Sequence, residues 1–225
     1  ALFALIATSA AAETITAARY ISPTGRYAHG ILGDALEWGG LQLSLADGGA
    51  RRFDLPRDHV FEDIAPRLVD VTCDGAPEVL VIETDVNRGA ALAIYGPEGK
   101  ITETPHIGQS NRWLAPLGAA DLDGDGAIEI AYVDRPHLAR VLRVWRFANG
   151  SLSEVAQIEG LTNHRIGEQY ISGGLRDCGG VPEMVLADAD WQRVVAVTLK
   201  GGQLAQRDFG PFAGAESFAA ALACE

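Results

Sequence analysis

The 225-residue sequence predicts an all-β protein, a small β-propeller of four four-stranded blades in which the C-terminal strand closes the N-terminal blade. Three observations carry this prediction. A pattern of strand, acidic turn and strand returns about every 50 residues and places Glu78, Glu129 and Glu183 at equivalent positions. Short runs of alternating apolar residues are separated by glycine-containing turns, which are hairpin signals. The N-terminal copy lacks a first strand, whereas the C-terminus carries one too many.

Taken in order, residues 1–12 are apolar and then small, and Ala10 and Ala12 fit an A-x-A cleavage pattern. They are expected to be the remnant of an export signal, with one domain over 13–225. Blade 1 is expected over 20–56 plus 216–224, with strands at 27–32, 41–45 and 51–55 and an acid, Asp34, at the end of the first of these. Its missing innermost strand is supplied by 217–224, which aligns with 66–73. Blades 2, 3 and 4 are expected at 61–105, 111–157 and 165–208, with Glu83, Asp134 and Asp188 at the acidic strand-end position. A ring removes the open edges that a linear β array would leave. A β-sandwich is the alternative, but it gives no reason for a strand absent at one terminus and surplus at the other.

Blade 3 contains the most informative stretch. Asp121, Asp123, Asp125 and Glu129 occupy positions 1, 3, 5 and 9 of a loop with Gly126 at position 6. Ca²⁺ takes six to eight oxygens, and alternate residues of a tight loop aim their side chains at one point. Ala127 at position 7 would contribute its carbonyl oxygen. An EF-hand would need a Glu at position 12, where this chain has Tyr132, and helices where it has strand patterns. The expectation is a calcium loop in a β-hairpin; the alternative is a solvated acidic turn.

A net charge of −12 argues against nucleic acid and anionic membranes as partners, because both would be repelled. No run after residue 12 reaches the roughly 20 apolar residues of a membrane span. Three cysteines suit an oxidising compartment, with one pair and one residue left over. In the propeller arrangement Cys178 and Cys224 fall in neighbouring blades and would staple the ring, leaving Cys73 free; Cys73 with Cys224 is the rival pairing. The chain is expected to be exported, periplasmic or extracellular, and monomeric.

The loop 118–130 resembles the FG-GAP/VCBS repeats of integrin α-chain propellers and of bacterial secreted proteins, and Phe209-Gly210 resembles the Phe-Gly that opens such repeats. The resemblance implies a propeller, Ca²⁺ between the first two strands of a blade, and binding rather than catalysis. It carries the calcium motif to Asp121, Asp123, Asp125 and Glu129. It also suggests a weaker second site at Asp70, Asp74 and Glu78, where Thr72 replaces the central acid.

Polar residues cluster in the segments leading into the blades: His59; Asn111, Arg112 and Trp113; and Asn163, His164 and Arg165. In a propeller these would converge on one face as a basic, aromatic-rimmed ligand site; otherwise they hydrogen-bond loop backbones. No nucleophile-elbow or zinc-protease motif is present, and the acids that recur once per blade read as structural. The expected function is an exported, non-enzymatic calcium-binding propeller that binds or scaffolds a protein or glycan. The alternatives are a hydrolase acting on a sugar or phosphate ester, and a scaffold whose sole ligand is Ca²⁺.

Overall fold

In the computed structural model, which describes residues 13–33 and 36–224, the apolar runs become antiparallel strands grouped in three sheets. Strands β1 (Ile15–Thr24), β2 (Glu37–Leu45) and β3 (Ala50–Asp54) form a meander. Two short strands, β4 (His59–Phe61) and β5 (Arg67–Val69), both pair with β6 (Glu78–Asp85), which continues through β7 (Gly89–Gly96) to β8 (Gly99–Glu103). Trp38 of β2 lies opposite Phe61 of β4, which joins these eight strands into one sheet. The second sheet is a meander of β9 (Leu114–Ala120), β10 (Glu129–Asp134), β11 (Val141–Ala148) and β12 (Ser151–Glu159). In the third, β13 (Leu161–Thr162) and β14 (Gly174–Arg176) both pair with β15 (Glu183–Asp188), followed by β16 (Arg193–Lys200) and β17 (Gln203–Pro211).

Period-two alternation packs the β1–β3 meander, the β6–β8 meander and the other two sheets face to face in turn. Successive side chains of a strand point to opposite faces. Val79 and Val81 therefore pack with Leu41 and Leu43 of the first meander, whereas Leu80 and Ile82 pack with Ile130 and Tyr132 of β10. Ala131 and Val133, on the other face of β10, meet Met184 and Leu186, and Val185 and Ala187 face onward to Phe218 and Ala221. Strands β6 and β7 are covered on both faces, which is why every residue in them is buried. The outer strands β12 and β17 are largely exposed or half-buried. Two-residue turns at Asn149-Gly150 and Gly201-Gly202 have positive φ at both positions, the geometry that matches strand twist.

The last layer differs from the expectation. Residues 217–224 do not complete blade 1; helix α1 (Ala215–Leu222) spans most of them and covers the third sheet with Phe218 and Ala221. Alanine is the best helix former, and the alanine-rich run with Glu216 in its first turn outweighs the apolar match to a strand. Residues 27–32 are not a strand either, and β1 occupies the place beside β2. Among the described residues no sheet closes on itself, and one disulfide forms. Residues 1–12 and Asp34 lie outside the described residues.

The expected pairing forms, with the Cys178 and Cys224 Cα atoms 5.8 Å apart, but it joins α1 to the β14–β15 turn rather than two blades. Cys73 is free and exposed. Among the described residues no helix is long and apolar enough to cross a membrane.

Candidate functional site

The β9–β10 turn holds the acidic loop. Asp121 Oδ1 accepts from the Gly124 and Asp125 N–H groups at 2.7 and 3.1 Å, and its Oδ2 accepts from Gly126 N–H at 2.9 Å. Gly126 has φ +91°, a conformation that side chains rarely adopt. Glu129 Oε2 accepts from Leu122 N–H at 2.9 Å, and Asp125 Oδ1 from Ala127 N–H at 2.9 Å. Oxygens of Asp121, Asp123 and Glu129 lie within 4.8 Å of one another, close enough for one ion with 2.3–2.6 Å bonds. Asp125 falls outside that group.

A side chain that the motif does not mention completes the loop. The Arg146 guanidinium reaches Glu129 Oε1 at 2.6 Å, Asp123 Oδ2 at 2.8 Å and Asp125 Oδ2 at 2.8 Å. Arg146 sits on β11 directly opposite Glu129, so hairpin register places it there. It neutralises the oxygens that a cation would share. Burial pushes the Glu129 carboxyl up, opposed by the Leu122 N–H and Arg146. The Ala127 N–H, with Arg146, holds Asp125 below the usual carboxylate range.

The corresponding loop between β5 and β6 repeats the internal hydrogen bonds without gathering its acids. Asp70 Oδ2 accepts from Gly75 N–H at 2.8 Å, Asp74 Oδ1 from Ala76 N–H at 2.8 Å, and Glu78 Oε2 from Val71 N–H at 3.0 Å. Among the described residues, Asp70, Asp74 and Glu78 do not form a group of metal-capable oxygens. In the third sheet Glu183 is bound by Arg176 and Arg207.

Of the lead-in residues, Asn111, Arg112 and Trp113 converge on one cavity of about 180 Å³, together with His29, Ile31, Arg135, Pro136, His137, Leu138 and Ile166. Trp113 is buried and donates its indole N–H to Glu62 O at 2.8 Å. Asn111 N–H donates to the Tyr27 hydroxyl at 2.8 Å, with Asn111 at φ +53°. Gly89 is required here, because a Cβ would lie 2.4 Å from Gln109 O and 2.9 Å from Arg112 O. Arg135 is paired with Asp134, whereas Arg112 makes no ion pair among the described residues. Leu138 and Ile166 on the rim are 64% and 73% exposed, an apolar edge to a basic cleft.

His164 stands behind the cleft, its ring 5.0 Å from that of Trp113. Its Nε2 lies 2.9 Å from Glu168 O, a pure acceptor, so Nε2 carries the proton. Nδ1 therefore accepts from His137 Nε2–H at 2.9 Å. Burial, then the neighbouring His164, pushes His137 down to about 4, and burial lowers His164. Both rings are neutral near pH 7.

The remaining lead-in residues lie elsewhere. Asn163 donates to Ala115 O and Pro116 O, both at 3.3 Å, tying the third sheet to β9. Arg165 lies over Trp191 and Phe212, 4.2 and 5.0 Å from their ring centroids. His59 lies beside His106 rather than in the cleft. Sequence reasoning missed Arg135, His137 and Arg146; register arithmetic from the Asn149-Gly150 turn would have found the last.

Comparison with known proteins adds no identification: no family model matches the chain, and no curated protein matches it in sequence. Fold and site define a layered all-β protein with a basic, aromatic-floored cleft and an arginine-filled acidic loop.

Proposed function

We propose that this chain is an exported, non-enzymatic binding protein, with β5–β8, β9–β12 and β13–β17 acting as propeller-type blades of the FG-GAP/VCBS kind. Its partner is a protein or glycan that presents an anionic end group to Arg112, packed against the Trp113 ring. The observation that carries this reading is the lining of the cleft, which among the described residues has two arginines, two histidines, an asparagine and a tryptophan and no carboxylate. Hydrolysis by paired acids needs two carboxyl groups flanking the scissile bond. The exposed Leu138 and Ile166 add the apolar contact typical of a binding rim. A cavity of about 180 Å³ takes an end group rather than a whole ligand, since complete ligand pockets run to about 300–1,000 Å³.

Ca²⁺ is part of this proposal. It would take Asp121, Asp123 and Glu129 after Arg146 swings outward, holding the β9–β10 turn. Arrays of acidic oligosaccharides and peptides test the partner reading. Wild type should bind a subset and Arg112→Glu should lose it, while chromogenic sugar and phosphate esters remain unhydrolysed. Binding that survives Arg112→Glu, or turnover of an ester, would overturn it.

A further inference from the structure

A second cluster, unrelated to the acidic loop, lies where β4, β6 and the segment after β8 meet. His59 on β4 is the register partner of Asp85 on β6, and Asp85 is the partner of Gly89 on β7. His106 follows β8 and is anchored over this row by its Nδ1, 2.7 Å from Gly89 O. Ligand atoms of His59, Asp85 and His106 all lie within 4.8 Å of one another.

The tautomers point both imidazoles the same way. Gly89 O only accepts, so His106 Nδ1 carries a proton. His59 Nδ1 lies 3.0 Å from Asp58 Oδ1, a carboxylate oxygen, so it too carries the proton. In the neutral rings each Nε2 is then a bare lone pair. His59 Nε2 is 4.0 Å from Asp85 Oδ2 and 3.9 Å from Glu83 Oε1. His106 Nε2 is 3.7 Å from Glu103 Oε1. That nitrogen is buried with no hydrogen-bond partner among the described residues, in a side chain only 4% exposed. Two inward lone pairs facing carboxylates, each ring held from behind by an oxygen, match the outer-shell pattern of histidine metal ligands.

We infer that His59, Asp85 and His106 form a binding site for a divalent transition ion of the zinc class, with Glu103 as the fourth donor. Two imidazoles and two carboxylates suit Zn²⁺ better than Ca²⁺, which takes oxygens alone. A tetrahedral site with bonds of about 2.0–2.1 Å has edges near 3.3 Å. The separations of 3.7 and 4.0 Å thus need only sub-ångström contraction. Arg88 donates from Nε to Asp85 Oδ2 at 2.6 Å, and Lys100 to Glu103 Oε2 at 2.7 Å. Arg88 must turn away, which its 56% side-chain exposure permits; Lys100 leaves Oε1 of Glu103 to the ion. The bound ion would fasten the end of β4 and the segment after β8 to the β6–β7 hairpin.

The test is calorimetric titration of Zn²⁺ into the chelator-treated full chain carrying Cys73→Ser, with Co²⁺ absorption reporting the ligand set. One equivalent should bind, with the visible bands of tetrahedral Co²⁺. His106→Gln and His59→Gln should each weaken binding at least about a hundredfold, Asp58→Asn about tenfold, and Arg88→Gln should strengthen it. Asp123→Ala, in the acidic loop, and His137→Gln should leave it unchanged. Circular dichroism identifies any variant that has lost its fold, and then Asp58→Asn and Arg88→Gln, which leave the three ligands in place, decide. No Zn²⁺ binding, or binding that ignores the His59, His106, Asp58 and Arg88 changes, would overturn the site.

Discussion

Replacing Arg146 with methionine probes the acidic loop most sharply. The guanidinium contacts three carboxylates, of which only Glu129, with its side chain fully buried, is strongly shielded from water. Breaking a fully buried ion pair costs about 3–5 kcal/mol, and a single hydrogen bond to a charged group contributes about 1.5–3 kcal/mol. Arg146 is 26% exposed, and Glu129 keeps its bond from the Leu122 N–H. A loss of about 2 kcal/mol is therefore expected. For a chain of this size that corresponds to a fall in Tm of about 4–8 °C. The assay is thermal unfolding in EDTA and in millimolar Ca²⁺. In EDTA the variant should unfold earlier. In Ca²⁺ at about a hundred times Kd it should regain about 2.7 kcal/mol. Equal Tm values in EDTA would refute the role of Arg146. A deficit that calcium cannot repair would refute the loop as a calcium site, as would a calcium response that persists in Asp123→Ala.

Three further outcomes are expected. Phe218→Ala should cost about 3–5 kcal/mol, because Phe218 is 5% exposed and fixes α1 against Val185, Ala187 and Val194; urea unfolding measures it. Reducing Cys178–Cys224, which spans 46 residues, should cost about 2–4 kcal/mol and change the emission of Trp191, whose ring lies 6.2 Å from that of Phe218. His137 is held neutral with its pKa lowered to about 4, below the usual histidine value of about 6.5. The unfolded chain then binds the extra proton between those values, so the stability His137 contributes is complete above about pH 6.5 and is lost as pH falls towards 4. Solvent screening of the half-exposed ring reduces this contribution to about 1 kcal/mol. His137→Gln keeps an N–H donor for His164 without titrating, so unfolding profiles in that window should be flatter; an unchanged slope would contradict the neutral pair.

Much of the strand content was legible because alternation and turn chemistry are local. The runs at β6, β10 and β15 begin at Glu78, Glu129 and Glu183, and the turn at Asn149-Gly150 fixes the register of β11 and β12. The Cys178–Cys224 bridge was anticipated through an arrangement that placed those residues in neighbouring blades, whereas the disulfide in fact ties a helix to its own sheet. The helix is hard to read because 217–224 match the apolar pattern of 66–73, which hides their alanine propensity. Residues 27–32 are apolar enough for a strand, yet Tyr27, Ile31 and Leu32 are buried in a non-strand segment beside the cleft. The acidic loop was readable as a spacing pattern. Its occupant, Arg146, belongs to another strand, and cross-strand partners appear only once register is known. The same holds for His59 and Asp85. Of the three lead-in segments expected to share one face, Asn111, Arg112 and Trp113 line the cleft, whereas His59, Asn163 and Arg165 take places that composition does not distinguish.

The most direct test of the binding proposal is a residue-resolved NMR titration of the labelled chain with a uronate-containing oligosaccharide and an acidic peptide. Saturable shifts should appear at the Trp113 indole N–H and at Asn111, Arg112, His137 and Ile166, and should vanish in Arg112→Glu. Shifts confined to other surfaces, or none with either probe, would contradict the cleft as the place where this protein meets its partner.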